Sequence, residues 1–197
     1  MEYIASISYG KDSLAMLDVI YQNNLPLDRI VHVEIMATKD IPADLPPMME
    51  FKAKADAIIY EKYGIKVEHI TAPTTYEDGF YHICKGTKSR NAGKIYGFPL
   101  QKGNWCNSRL KQSVLERVQK NAIVYIGIAV DEPKRFHNLT ATKRSPLVEY
   151  DWTEKMCRDW CKENDLLSPI YTQSLRGGCW FCHNQGINQL RKLRKNY

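Results

Sequence analysis

Residues 8–13, Ser-Tyr-Gly-Lys-Asp-Ser, combine in one short segment the residue types that bind phosphate. Gly10 permits a tight turn and, because it has no Cβ, lets an anionic oxygen approach the backbone. Unpaired N–H groups at the start of a following helix would add donors and the positive end of the helix dipole. Lys11 adds a full charge, and Asp12 is able to cap the helix or help hold a hydrated Mg²⁺. The segment therefore predicts a site for a phosphorylated ligand.

A strand and a helix are predicted on either side of this segment. Residues 3–8 are short, carry β-branched side chains and partly alternate, which favours a strand. The apolar residues after the segment recur near helical spacing: Leu14, Met16, Leu17, Ile20 and Tyr21. The glycine spacing is not that of the Walker loop, which ends in Gly-Lys-Ser/Thr. A different nucleotide loop is implied, and we call it the 8–13 loop.

Strand-like and helix-like segments alternate along the whole chain, which favours a parallel sheet covered by helices. Further strands are predicted at 29–35, 65–70 and 122–130, and helices at 48–63 and 108–119. Residues 71–104 have no clean period, so we expect a long irregular excursion that contains short helices. The predicted fold class is α/β, with an open, mostly parallel twisted sheet.

The most apolar strand, 122–130, is predicted to lie centrally in the sheet. In an open α/β sheet, ligands bind beyond the carboxyl ends of the strands, near the point where strand order reverses. We therefore expect the end of this strand to face the 8–13 loop. Arg135 and Lys134 follow the strand, and the planar fork of an arginine suits a phosphate.

The turn Cys179-Trp180-Phe181-Cys182 has the two-residue gap that lets both sulfurs reach one metal. Gly177 and Gly178 precede it and give the backbone freedom to bend. A closed metal site needs further ligands, and we predict Cys106 and Cys161, with Cys157 as the second choice for the last position. A redox dithiol or structural thiols are the alternatives.

The remaining candidates near the cysteines have simpler interpretations. Cys84 is predicted to be a small buried hydrophobe, and His183 is a spare ligand. His32 is predicted to be a core histidine whose hydrogen bonds are satisfied. Six cysteines in a chain without the charged and apolar regions of a signal peptide favour thiols over a disulfide framework, so we expect a cytoplasmic location.

The charge of the chain suits an anionic ligand. The 197 residues carry a formal net charge of +6 at pH 7. Part of this charge is concentrated in residues 191–195, Arg-Lys-Leu-Arg-Lys, which makes a nucleic acid, tRNA or DNA, a candidate partner. No apolar run approaches the length of a membrane span, so we expect no membrane partner.

The 8–13 loop resembles the Ser-Gly-Gly-Lys-Asp-Ser signature of the PP-loop, or adenine nucleotide α-hydrolase, superfamily. Members of that superfamily hold the pyrophosphate end of ATP or of a sulfonucleotide at this loop. Tyr9 departs from the usual glycine. Further motifs are similar, in order and spacing, to those of the phosphoadenosine phosphosulfate (PAPS) reductase family: Gly127 to Arg135, Pro146 to Glu154, Ser168 to Tyr171, and Gly178 to Cys182. Ala129 replaces an arginine of the first of these motifs.

The resemblance implies a Rossmann-like fold with a small C-terminal region that contains cysteines. Residues 1–145 would form the nucleotide-binding core, with the 71–104 excursion, and residues 146–197 a helical Cys-x-x-Cys region packed on it within one structural domain. Lys11, Asp12 and Arg135 are the implied catalytic residues. The implied nucleotide contacts are Ser6, Ser8, Tyr9, Gly10, Lys11, Asp12, Ser13, Glu34, Gly127 and Ile128.

The resemblance also bears on the metal. Adenosine phosphosulfate reductases similar to this chain bind a four-iron cluster through a mid-chain Cys-Cys pair and a later Cys-x-x-Cys. The mid-chain pair is Cys106-Asn107 here, so one ligand is absent. Either Cys161 or Cys157 replaces it, the cluster has an open iron, or the metal is Zn²⁺. Some tRNA-thiolating PP-loop enzymes are similar in using three cysteines and leaving one iron free to carry sulfur.

Three functions follow from the resemblance. The first is a PP-loop enzyme that binds ATP and Mg²⁺, cleaves the α–β bond and adenylylates an acceptor in sulfur transfer, with a [4Fe-4S] cluster or Zn²⁺ at Cys106, Cys161, Cys179 and Cys182. The second is a PAPS or adenosine phosphosulfate reductase, although the chain ends in Leu193–Tyr197 without the reductase cysteine of a Glu-Cys-Gly-Ile/Leu-His segment. The third is a regulator that binds nucleotide or nucleic acid without catalysis.

Overall fold

The computed structural model describes residues 1–86, 90–99, 104–137, 139–173 and 178–197, so Gly177 lies outside the described residues. Strands β1 to β5 are Glu2–Ile7, Arg29–Glu34, Val67–Thr71, Ala122–Ile126 and Lys143–Arg144. Helices α1 to α10 are Lys11–Gln22, Pro46–Tyr63, Tyr76–Phe80, Trp105–Asn107, Ser113–Val118, Pro133–Phe136, Pro146–Glu149, Glu154–Glu163, Ile170–Gln173 and Ile187–Asn196. A π-helical turn, Ser108–Gln112, joins α4 to α5.

The five strands form a parallel sheet in the order β3-β2-β1-β4-β5, which confirms the predicted α/β class. β1 lies between β2 and β4, and Ser6 is in register with Val31 on one side and Ile126 on the other. Strand order therefore reverses between β1 and β4. The loops that follow these two strands lie at the switch point, which is where ligands bind in such sheets.

Helix α1 is positioned by burial on nearly every face. Leu14, Met16, Leu17 and Ile20 are at most 1% exposed. The helix ends where Asn24 takes a positive φ of 49°, a conformation that asparagine tolerates better than most residues. The Leu25 N–H then donates to the Ile20 oxygen at 3.0 Å. This packing fixes α1, and with it the 8–13 loop, against the sheet.

Predicted and observed elements differ most near β4. The strand ends at Ile126 instead of residue 130, because the Ile128 N–H turns back to the Ile126 oxygen at 3.1 Å. The helix predicted at 108–119 begins earlier, at Trp105, and includes the π turn. β5 has two residues and was not predicted, since so short a strand has no alternation to detect.

The chain divides into two compact units, each assembled from several segments. The first unit comprises Met1–His32, Pro46–His69 and Gln119–Gly177, and the second comprises Val33–Leu45, Ile70–Val118 and Gly178–Tyr197. The units therefore divide the chain differently from the predicted regions 1–145 and 146–197. The hydrophobic core around α1 belongs to the first unit.

The second unit contains the described part of the 71–104 excursion. Helix α3 begins with a capping box in which the Thr75 hydroxyl accepts from the Asp78 N–H at 3.1 Å. An isolated antiparallel bridge pairs Ile83 with Ile95. In its described part, the excursion combines the short helix α3 with irregular chain. In the part of the chain that the structure describes, no helix is long and apolar enough to cross a membrane.

Candidate nucleotide site and cysteine centre

The 8–13 loop is folded back on itself at the start of α1. Gly10 caps the helix with an extended backbone, φ −78° and ψ 155°. The Ser13 hydroxyl donates to the Gly10 oxygen at 2.9 Å and accepts from the Ser8 N–H at 3.1 Å. These two bonds hold the loop in one conformation. The N–H groups of the first helical turn, with the positive end of the dipole, are thereby directed at one place.

Gly127, directly after β4, lies against this loop. A Cβ at Gly127 would be 2.6 Å from the Ser13 nitrogen and 2.7 Å from the Asp12 carbonyl carbon. Both are backbone atoms, so any larger residue at this position requires the loop to shift. The expectation that the end of the strand faces the loop is confirmed. Ile128 follows and is buried, and its oxygen accepts from the Ser145 hydroxyl at 2.6 Å.

Lys11 is held by two carboxylates. Its Nζ donates to Asp12 Oδ1 and to Glu154 Oε1, each at 2.7 Å. Burial lowers the pKa of Lys11, but the hydrogen bonds to Asp12 and Glu154 and their negative charges raise it by more. The pKa of Lys11 therefore lies above its usual value. Lys11 is a permanent cation at the N-terminus of α1.

A group of three carboxylates surrounds this cation. One oxygen each from Asp12, Glu132 and Glu154 lies within 4.8 Å of the others. Burial raises the pKa of Asp12, Lys11 opposes this, and the charges of Glu154 and Glu132 add to it. Carboxylate oxygens are the protein ligands that Mg²⁺ prefers. These three residues are able to hold a divalent cation beside the loop.

Tyr171 occupies one donor of the first helical turn. Its hydroxyl accepts from the Lys11 N–H at 3.0 Å, a bond that a phosphate oxygen is also able to accept. Burial raises the pKa of this hydroxyl, so it stays protonated. An anion that binds at this amide takes the place of the Tyr171 oxygen.

Tyr9 adopts a backbone conformation that favours glycine. Its φ is 55°, in the left-handed region that glycine adopts without strain. The side chain is 1% exposed, and its hydroxyl donates to Asp56 Oδ1. The same hydroxyl lies 3.0 Å from His69 Nε2. Buried contacts thus hold a tyrosine where a glycine would be relaxed.

The other predicted nucleotide residues lie in different settings. Ser6 lies within β1. Arg135 lies in α6, and its Nη1 atom donates to both carboxylate oxygens of Glu132 at 2.7 Å. Arg135 is therefore coupled to the carboxylate group. Glu34 is buried at the end of β2 and belongs to the second unit. His32 is a satisfied core histidine, as predicted, because its Nδ1–H donates to the Ile7 oxygen at 3.0 Å.

Three of the four predicted metal ligands are brought together in the second unit. Cys106 lies in α4, and the Cys182 N–H donates to the Cys179 oxygen at 2.9 Å to form the Cys-x-x-Cys turn. Burial raises the pKa of Cys179 to about 12, and the charges of Asp44, Cys182 and Cys106 add to this effect. Burial also raises the pKa of Cys106. A backbone hydrogen bond at Asn107 opposes this shift, and the charge of Cys182 adds to it. We call these three thiols the cysteine centre.

The sulfur spacing bears on the metal that this centre suits. Within the described ranges, the three cysteines do not form a group whose sulfurs all lie within 4.8 Å of one another. Tetrahedral zinc with Zn–S bonds of about 2.3 Å needs sulfurs about 3.8 Å apart. The described spacing is thus wider than a closed zinc site.

Aromatic rings and unpartnered polar atoms surround the cysteine centre. Tyr76 stacks on Trp105 with ring centroids 5.2 Å apart and packs on Phe181 at 4.1 Å. Burial raises the pKa of Tyr76, and all three thiols add to the shift. Among the described residues, its buried hydroxyl has no hydrogen-bond partner, and the same holds for Asn104 Oδ1 and His183 Nε2. Such groups commonly mark a site that a ligand, ion or water completes.

Cys161, the fourth predicted ligand, and Cys157 are core residues of the first unit. Both are fully buried on α8, and the Cys161 thiol donates to the Lys11 oxygen at 3.4 Å. Burial raises the pKa of Cys161 to about 12, and the charge of Asp12 adds to this. The role of either residue as fourth ligand stays a prediction.

Sequence reasoning missed several residues of both sites. Glu154 and Tyr171 belong to motifs that were noted for their resemblance, Trp-Thr-Glu and Ser-Pro-Ile-Tyr, but no role was given to either. Those motifs were the available signal. Asp56 and Tyr76 stand in no motif, so only the fold reveals them.

The parallel five-stranded sheet, with the 8–13 loop at its switch point, defines an α/β protein. No family model matches the chain, and no curated protein matches it. Among solved structures, the chain is similar to the U34-tRNA thiolase NcsA from Methanococcus maripaludis with its [4Fe-4S] cluster, with a TM-score of 0.50 and 14% identity. The likeness covers 99% of this chain but only 64% of that one. At this identity, the likeness shows the fold.

Proposed function

We propose that this chain is an ATP-using enzyme of sulfur transfer that cleaves ATP between its α and β phosphorus atoms and adenylylates an acceptor. The observation that carries the proposal is the cysteine centre with its unpartnered Tyr76 hydroxyl, in a chain whose 8–13 loop is built for phosphate. A nucleotide-binding regulator needs no such centre. The PAPS reductase family and the PP-loop signature supply the expected chemistry by resemblance.

The nucleotide chemistry rests on the 8–13 loop. An acceptor oxygen attacks the α-phosphorus, the bond to the bridging oxygen breaks, and pyrophosphate leaves with the bonding electrons. Lys11 and the N-terminal amides of α1 are placed to stabilise the charge that grows on that oxygen. Preorganised donors of this kind lower a barrier by about 2.7–4 kcal/mol each in comparable enzymes.

Mg²⁺ would be held by Asp12, Glu132 and Glu154. The three carboxylates, Lys11 and the Arg135 guanidinium on Glu132 leave a formal charge of one negative, which attracts a divalent cation. The ion would supply Lewis-acid stabilisation of phosphate oxygens. Because Lys11 now bridges two of these carboxylates, binding of Mg²⁺ and ATP frees its ammonium to turn to the phosphates. Arg135, which contacts Glu132, is proposed to add a guanidinium from the same side.

We propose that the cysteine centre holds an iron–sulfur cluster. Three thiols converge, whereas a closed zinc site takes four protein ligands, and the Tyr76 hydroxyl has no partner among the described residues. Cys106, Cys179 and Cys182 would hold the cluster. A cluster with three protein ligands would supply an iron with an open position for sulfur. Tyr76, Trp105 and Phe181 would exclude water from it.

We propose tRNA as the acceptor class. Similarity in fold to a U34-tRNA thiolase supports this, as does helix α10. No residue of α10 is buried, and its sequence, Ile-Asn-Gln-Leu-Arg-Lys-Leu-Arg-Lys-Asn, carries four basic residues. Basic side chains of this kind bind phosphate backbones and release counterions.

Labelled ATP tests the adenylylation. Protein prepared without oxygen is incubated with α-labelled ATP, Mg²⁺, sulfide and total tRNA, and AMP, pyrophosphate and thiolated nucleosides are measured. We expect AMP and pyrophosphate in equal amounts, dependent on tRNA. Sulfite release from PAPS would support the reductase alternative instead. ATP binding without turnover in any mixture would support the regulator.

Iron and sulfide analysis tests the centre separately. Protein purified without oxygen should contain iron and acid-labile sulfide and show broad absorbance near the visible range, and zinc should be absent. Stoichiometric zinc without iron would overturn the cluster assignment. It would leave the nucleotide assignment standing, because the two sites are assayed independently.

A further inference from the structure

Tyr9 stands in a backbone conformation that tyrosine rarely adopts. Its φ of 55° lies in the left-handed region, where the Cβ of an L-residue crowds the neighbouring carbonyl. The next residue, Gly10, caps α1, and Lys11 begins it. A change of φ at Tyr9 therefore rotates the peptide groups at the start of α1, which are proposed to bind phosphate. Something must hold Tyr9 in this conformation.

The hydroxyl of Tyr9 is anchored by two residues from separate elements. It donates to Asp56 Oδ1 on α2 and lies 3.0 Å from His69 Nε2 on β3. Asp56 Oδ2 and His69 Nε2 are 2.8 Å apart, so the three groups form a closed set. Hydrogen bonds to a charged acceptor are stronger than neutral ones.

The ring of Tyr9 is held as firmly as its hydroxyl. The edge of His32 meets it with ring centroids 4.8 Å apart, and the ammonium of Lys52 lies 5.6 Å from its centroid. Tyr9 itself is 1% exposed. The ring contacts alone would tolerate a phenylalanine, whereas the hydroxyl contacts would not.

We propose that Asp56 and His69 are positioning residues which, through the Tyr9 hydroxyl, hold the 8–13 loop in its nucleotide-binding conformation. The inference rests on the proposed function, because it assumes that the loop binds ATP. Neither residue touches the nucleotide. Their effect is to offset the strain of a tyrosine where the superfamily signature has glycine.

Two substitutions at Tyr9 separate positioning from packing. Tyr9→Phe keeps the ring but removes the anchor, so the loop relaxes and the dissociation constant for Mg-ATP rises about tenfold, the equivalent of about 1.4 kcal/mol. Tyr9→Gly loses the ring but adopts a positive φ freely, so affinity stays within about threefold although the melting temperature falls. If Tyr9 acts only through packing, Tyr9→Gly should weaken Mg-ATP binding more than Tyr9→Phe does.

A second set of substitutions tests whether Asp56 and His69 hold the Tyr9 hydroxyl in place. Asp56→Ala should weaken Mg-ATP binding about as much as Tyr9→Phe, and adding Tyr9→Gly to it should restore the affinity. His69→Ala should behave in the same way with a smaller loss. Glu61→Ala, an exposed acid on the same helix, is the matched control and should leave the affinity unchanged. Rescue of Asp56→Ala by glycine is a result that a merely structural role does not produce.

Calorimetric titration with Mg-ATP and circular dichroism complete the experiment on the full chain. If Tyr9→Gly does not fold, Tyr9→Asn takes its place, since asparagine tolerates the left-handed region. Wild-type affinity in a folded Tyr9→Phe, or no rescue of Asp56→Ala by a folded glycine or asparagine variant, overturns the inference while the proposed function stands. Absence of ATP binding by the wild-type protein overturns both.

Discussion

The 8–13 loop and the cysteine centre satisfy their polar groups in opposite ways. At the loop, Lys11 is bonded to Asp12 and Glu154, and its N–H to Tyr171. At the cysteine centre, the Tyr76 hydroxyl is buried and has no partner within the described part of the chain. The polar groups of Lys11 are thus bonded within the protein, whereas the Tyr76 hydroxyl is not bonded within the described residues.

The difference follows from the chemistry of the two sites. In the proposed function, the phosphates of ATP bind a loop that is already formed, and they displace the internal partners of Lys11. Thiols in an apolar shell stay protonated, as the raised pKa of Cys106 and of Cys179 shows. A metal group binds them only as thiolates and supplies the missing charge balance itself.

The largest expected effect is the loss of the metal group. Cys179→Ser removes a ligand, and we expect iron and sulfide content and tRNA thiolation to fall at least about tenfold. Affinity for Mg-ATP should stay within about twofold, because the 8–13 loop is complete by itself. Cys84→Ser is the matched control and should retain the metal. Loss of ATP binding in Cys179→Ser would contradict the independence of the two sites.

Lys11→Ala tests the loop in the same way. We expect the rate of AMP formation to fall about 10²- to 10³-fold, because the cation facing the departing pyrophosphate is gone. Iron content should not change. Lys155→Ala, an exposed lysine of α8, is the control, and steady-state rates with metal analysis measure both outcomes. Equal rates in the two variants would exclude Lys11 from the chemistry.

Alanine substitutions at two glycines compare how tightly the backbone packs at the 8–13 loop and beside the cysteine centre. Gly127→Ala places a Cβ 2.6 Å from the Ser13 nitrogen, and we expect the free energy of unfolding to fall by about 1–3 kcal/mol. Among the described residues, a Cβ at Gly178, beside the cysteine centre, meets the Cys182 Cβ at 4.0 Å, so Gly178→Ala should cost less than about 0.5 kcal/mol. Urea denaturation measures both, and similar values would mean that the loop yields to the new methyl group.

Phenylalanine substitutions at two tyrosines compare how much each hydroxyl contributes to stability at the 8–13 loop and at the cysteine centre. Tyr171→Phe leaves the Lys11 N–H unpaired and should lower the free energy of unfolding by about 0.5–1.5 kcal/mol. Tyr76→Phe removes a hydroxyl without a partner, so metal-free protein should be unchanged or slightly more stable. Thermal denaturation of metal-free samples compares them. A loss of stability in Tyr76→Phe as large as in Tyr171→Phe would show that the Tyr76 hydroxyl is satisfied.

The smallest effect lies outside both regions and gives a baseline. Hydrogen bonds from Arg29 hold the pKa of Glu68 below its usual 4.5, so this pair stabilises the fold above that pH and the contribution is lost as the pH falls below it. Both groups are partly exposed, so Glu68→Gln should cost at most about 1 kcal/mol at pH 7. The difference between the variant and the wild type in urea denaturation should shrink as the pH falls below 4.5, and a constant difference would point to a cause other than charge.

Much of the fold was predictable because the signals are local. The helix that buries Leu14 and Ile20 and the apolar strand before Gly127 show their period over a few residues. The end of β4 was misplaced because apolar residues 128–130 continue the pattern, while the close approach of Gly127 to α1 stops the strand. β5 depends wholly on its neighbour in the sheet.

The amino-acid sequence alone identified the 8–13 loop and the Cys-x-x-Cys turn, because the residue types that mark each of them are neighbours along the chain. Only the tertiary structure brought Glu154 to Lys11 from 143 positions away and Tyr171 from 160 positions away. It also decided that Cys161 packs beneath α1 while Cys106 joins Cys179 and Cys182. Burial and long-range contacts make those choices, and they depend on how every element packs.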